Sequence, residues 1–162
     1  MATTRAVLTP FSAEFPSSNF PGLTIINARP VLAYDASTQE TAYWTMIAPQ
    51  GLTGALSCVV TYMMASATSG NIEFEVSVEA ITDGDATDLD ATTSFDTVNA
   101  SGATTVPATA GYIDQVSVTL TNADSIAAGD LIRVSISRDA DDATNDTATG
   151  DLYMLAAELR EA

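Results

Sequence analysis

The stretch "NIEFEVSVEAI", residues 71–81, alternates polar and apolar side chains from Asn71 through Ala80. Ile72, Phe74, Val76, Val78 and Ala80 fall on one side, and Glu73, Glu75, Ser77 and Glu79 on the other. A helix would scatter these groups around its axis, whereas a pleated strand sends successive side chains to opposite faces. The segment therefore predicts a strand with one face on a core and one toward water. The same period of two continues along most of the chain after Pro30.

On that period, strands are expected over "VLAYD" (31–35), "TAYWTMIAP" (41–49), "ALSCVVTYMMA" (55–65), 71–81, "SFDTV" (94–98), "IDQVSVTLT" (113–121), "DLIRVSISR" (130–138) and "DLYMLAAELRE" (151–161). The run 55–65 is apolar on both faces and reads as a central strand. Turn-forming clusters rich in Gly, Asp, Asn, Ser and Pro separate these runs. The one helical hint is "NADSIAAGD" (122–130), where Asn122 or Asp124 could cap a single turn and Gly129 end it. About eight antiparallel strands, most with one apolar face, bury those faces best as two packed sheets. The expected fold is an all-β antiparallel sandwich, jelly-roll-like over residues 30–162. An immunoglobulin sandwich is disfavoured because its cysteine pair is missing; Cys58 is the only cysteine.

Residues 1–29 differ in character. Pro10, Pro16, Pro21 and Pro30 are spaced among Phe11, Phe15 and Phe20. Proline at that density blocks a helix and disfavours a central strand. The segment reads as an extended N-terminal arm lying on something apolar, either its own domain or a neighbouring subunit. In the second case Phe11, Phe15, Phe20, Leu23 and Ile25 are the partner-binding side chains.

Composition removes whole classes of function. With 21 acidic residues against 5 arginines, no histidine and a formal charge of −16, the chain repels phosphate backbones and anionic membranes. Without histidine there is no Ser–His–Asp triad, Cys–His pair or His-ligated zinc. Without lysine there is no Schiff-base or phosphate-loop chemistry. The acids sit in turns or on outer strand faces, and no enzymatic activity is expected. Cys58 lies in an apolar run and reads as a buried core thiol. "MATTRAVLTPF" lacks the apolar core of a secretory signal, so a soluble protein made in the cytoplasm is expected.

Two acidic loops offer the oxygen donors that calcium takes. One holds Asp83, Asp85, Asp88 and Asp90; the other holds Asp139, Asp141, Asp142, Asn145, Asp146 and Asp151. Neither has the EF-hand spacing, and a solvated loop is the default reading of both. If calcium binds, the second is favoured, with Asp139, Asp141, Asp142, Asp146 and Asp151 as ligands; no other cofactor is expected. Asn99 and Asn145 match glycosylation sequons by chance, and Tyr43 and Trp44 would stack on a sugar only if exposed.

"PVLAYDASTQETAYWTMIAP", "ATSGNIEFEVSVEAI" and "TNADSIAAGDLIRVSISRDADDATNDTATGDLYMLAAELRE" together resemble a group of small tailed-bacteriophage virion proteins. The shared features are a short strand ending in Asp, a "TSGN" turn before an alternating strand, and an Ala-Gly-Asp turn leading into "R-D-A-D". The resemblance covers residues 30–161 and carries no catalytic residue. It implies a structural β-sandwich on the outside of the particle, often oligomeric. The expected role is decoration of the phage capsid as a homotrimer bound to the major capsid protein. The alternative is a tail or tail-fibre appendage that binds a host receptor or glycan, with or without calcium.

Overall fold

In the computed structural model, which describes residues 2–162, the alternation of 71–81 is read out by burial: Ile72, Phe74, Val76 and Val78 are all withdrawn from water. The strands are β1 (Thr3–Leu8), β2 (Gly22–Ile26), β3 (Arg29–Tyr34), β4 (Glu40–Ile47), β5 (Leu56–Met64), β6 (Asn71–Ile72), β7 (Phe74–Ile81), β8 (Asn99–Ala100), β9 (Thr104–Thr105), β10 (Asp114–Thr119), β11 (Leu131–Arg138) and β12 (Leu152–Glu161). One 3-10 turn, Pro10–Ser12, interrupts them.

One sheet runs β10-β5-β12-β3-β2, with β1 also on β12; the other runs β4-β11-β7-β8; β6 and β9 form a small separate pair. Every pairing is antiparallel. Let β3, β4, β5, β7, β8, β10, β11 and β12 be strands one to eight. Strand one then lies beside eight, two beside seven, three beside six and four beside five. That is a long hairpin rolled up on itself, the wrapping of a jelly roll. The expected all-β sandwich of about eight strands is therefore the observed framework.

The core lies between the two sheets. Trp44, Tyr34, Tyr62 and Phe74 are its largest members besides aliphatic side chains from β5, β7, β11 and β12. Phe74 meets Tyr34 and Tyr62 edge-on, with ring centroids 6.4 and 5.9 Å away. The Tyr34 hydroxyl, buried with them, donates to the Ile136 carbonyl at 3.1 Å.

Residues 2–29 lie along their own domain, one of the two courses expected. β1 pairs with the last half of β12, beyond the point where β3 leaves it. The chain then crosses to the other sheet, where Glu14 bridges Tyr43 and the Asn19 carbonyl accepts from Thr41 N–H. It returns as β2 along β3. Leu8 and Pro10 are buried, and Trp44 Nε1 donates to the Thr9 carbonyl at 3.0 Å. The prolines permit this route because they sit between the strands or beside an outer edge, where no ladder N–H is needed. The segment is a strap across both sheets that covers part of the β4 edge.

Two local expectations fail. Residues 94–98 are extended but irregular: Asp96 N–H reaches the Val78 carbonyl, while Ser94 N–H is captured by the Glu79 carboxylate. Regular pairing with β7 begins only at Asn99–Ala100. Residues 122–130 form turns and no helix. Asp124 and Ser125 take positive φ (52° and 54°), and Asp124 accepts from Ala80 N–H at 2.7 Å. That tie to β7 displaces the helical cap.

Candidate functional site

The acidic loop after β11 is organised by Arg138, which is fully buried. Nε and Nη2 donate to the two Asp146 oxygens at 2.8 and 2.7 Å. Nη2 also donates to the Ala148 carbonyl at 2.9 Å, and Nη1 to the carbonyls of Gly150 and Asp35 at 2.7 and 3.3 Å. All five guanidinium N–H groups thus have acceptors. Period-two reading of β11 placed Ile132, Val134 and Ile136 in the core and missed the buried Arg138. The alternation of β11 and the nearby Asp146 are the sequence signals for it.

This changes the expected metal set. Asp146 faces inward and is consumed by Arg138. Asp151 and Asp141 are exposed. Asp139 and Asp142 instead converge on Glu73, with one oxygen from each within 4.8 Å of the others. Glu73 was expected to face solvent, but the loop folds over it: Asp139 N–H donates to the Glu73 carbonyl at 3.0 Å, and Glu73 N–H to Asp146 at 3.3 Å. Asp142 is fixed by a turn in which Thr144 N–H and Asn145 Nδ2 donate to it at 2.8 and 3.0 Å. Those bonds hold its carboxyl below the usual range. Burial, then a hydrogen bond with Asp141 and the charges of Glu75, Asp141 and Glu73, push the Asp139 carboxyl up to about 7. Among the described residues no such convergence forms around Asp83, Asp85, Asp88 and Asp90, which are exposed.

The sugar-stacking candidates are occupied. Trp44 is in the core. Tyr43 lies 5.7 Å from Phe95 and under the Arg133 guanidinium at 4.8 Å. Asn99 is buried, bonded to Val76, Thr121 and Asn122, and closed to glycosylation. Burial pushes the Cys58 thiol up to about 12, which leaves it inert.

The apolar residues of the strap remain open. Phe11 is 70% exposed, Ile25 55% and Leu23 46%; Phe15 and Phe20 are also exposed, with ring centroids 5.4 Å apart. Leu23 and Ile25 stand on an outer strand, opposite Leu32 and Pro30. A separate groove of about 440 Å³ lies on the outer face of the β5–β12–β3 sheet, lined by Ile26, Arg29, Met63, Ile113 and Leu155 among others. No aromatic ring lines it; Tyr112, which is exposed, falls in the chain between the lining residues Gly111 and Ile113.

No protein-family model matches the chain, and no curated protein matches it in sequence. Two solved structures are similar in backbone course. One is the xylan-binding domain CBM22-1 of Xyn10C from Paenibacillus barcinonensis, with 12% identity, TM-score 0.49, and 99% of this chain and 92% of that one covered. The other is the xylan-binding module CBM15, with 13% identity, TM-score 0.45, and 100% and 95% covered.

Proposed function

We propose that the chain is a non-enzymatic virion structural protein that decorates the outside of a phage capsid as a homotrimer. One observation carries the reading. Phe11, Phe15, Phe20, Leu23 and Ile25 are presented outward by backbone that is already hydrogen-bonded into the sandwich. A surface ordered before docking loses little conformational entropy on binding. Weak apolar contacts repeated over a symmetric shell add up by avidity. The acidic exterior faces away from packaged DNA and keeps particles apart.

The test is co-sedimentation with undecorated heads. Saturable binding by the parent protein, lost in Phe11→Ser/Phe20→Ser/Leu23→Ser, supports the reading. Equal binding by that variant removes the strap from the interface.

A second reading, a tail appendage that binds a receptor or glycan, is favoured by the outer groove and by the exposed Tyr112 between its lining residues Gly111 and Ile113. It requires glycan binding that Tyr112→Ala weakens, and a glycan array measures this directly.

A further inference from the structure

The loop that crosses the start of β7 leaves one carboxylate without a partner. Glu73 is 4% exposed, yet its carboxylate takes no hydrogen bond and no ion pair among the described residues; only its backbone N–H and C=O are engaged. What it faces is more negative charge, from Asp139 and Asp142 within 4.8 Å and from Glu75 and Asp141 beside them. Arg138, next to Asp139 in the chain, has every donor committed elsewhere. Its oxygens keep a little contact with solvent, because every fully buried side-chain oxygen among the described residues has a partner. Carboxylates gathered this closely repel one another until a positive charge joins them.

We propose that Glu73, Asp139 and Asp142 bind one calcium ion, which ties the start of β7 to the loop between β11 and β12. The donors are all hard oxygens, with no nitrogen or sulfur among them. Two oxygens on opposite sides of one calcium, each at about 2.3–2.6 Å, span roughly 4.6–5.2 Å, which accommodates the observed spacing. Each donor is already held: Glu73 and Asp139 by the backbone bond between them, Asp142 by its own turn. Water and nearby carbonyl oxygens complete the shell of about 6–8 ligands. The site shares Asp139 and Asp142 with the set expected from sequence, replaces Asp146 with Glu73, and drops the exposed Asp141 and Asp151 as ligands.

The experiment is thermal melting of chelator-stripped protein on titration with calcium or magnesium alone, at about 0.15 M salt to screen diffuse attraction to the acidic surface. Calorimetric titration of the same samples gives the stoichiometry. One calcium per chain and a rise in Tm of about 5–10 °C at a hundredfold excess over Kd are expected. Magnesium should shift Tm less. Glu73→Gln should abolish the calcium response while melting, in chelator, no lower than the parent, because it removes repulsion. Asp85→Asn, in the other acidic loop, should respond as the parent does. The proposal is overturned by no shift up to about 10 mM calcium, beyond the weakest calcium modules. It is also overturned by a full response in Glu73→Gln, or by Glu73→Gln melting below the parent in chelator.

Discussion

Arg138 and Asp146 form a bidentate ion pair with both side chains out of contact with solvent. The pair fixes the acidic loop by its inner side, and the rest of the guanidinium fork holds the carbonyls of Asp35, Ala148 and Gly150. Removing one partner leaves the other charge buried and alone. Arg138→Met should therefore cost about 3–5 kcal/mol in urea unfolding. Arg138→Lys should recover little, because an ammonium cannot reproduce the five-donor fork. Arg138→Met/Asp146→Leu should be more stable than Arg138→Met alone.

Trp44 Nε1 anchors the strap through the Thr9 carbonyl. Trp44→Phe keeps most of the apolar contact and deletes that bond, at a cost of about 1 kcal/mol. Limited proteolysis should then cut faster between residues 9 and 21 than in the parent. Deleting residues 1–29 removes β1 and β2 and bares the edges of β12 and β3. That truncation should aggregate, as unpaired edges do, and is the wrong tool for testing a docking role.

Glu161 accepts from the N–H groups of Thr53 and Gly54 and pairs with Arg5. The Thr53 N–H contributes most to holding its carboxyl down at about 2, with Arg5 and Gly54 adding to it. A carboxyl that is more acidic folded than unfolded contributes stability above its unfolded value, near 4.5, and loses it as pH falls toward 2. Glu161→Gln should lower stability at pH 7 and flatten the acid limb between those limits, as followed by unfolding at a series of pH values.

The exposed strap residues should behave in the opposite way to the buried ones. Phe11→Ser sits on a short turn with its side chain mostly in water. Its effect on unfolding should stay within about 0.5 kcal/mol. A loss of several kcal/mol would place Phe11 in the fold rather than on a docking surface.

The sandwich was legible because period two survives wherever one face of a strand packs and the other does not. β7 and β11 show it, and the eight main strands pair as a rolled hairpin requires. What distant loops cover was not legible. Glu73 and Glu79 carry the pattern of solvent-facing residues, yet the loops at 139–146 and 91–95 bury them. Arg138 ends a strand whose alternation points it inward, and its charge masked that. The strap's path was not legible because its prolines report local stiffness, while the free half of β12 that β1 completes exists only in three dimensions. For the candidate site, sequence supplied Asp139 and Asp142 and missed the third carboxylate, which lies 66 residues earlier in the chain.

The most direct measurement is cryo-electron microscopy of undecorated phage heads incubated with the purified protein. The account predicts added sandwich density at repeated, threefold-related positions on the shell, with Phe11, Phe20 and Leu23 against the major capsid protein. Bare heads at saturating protein, or density attached through another face, would contradict it.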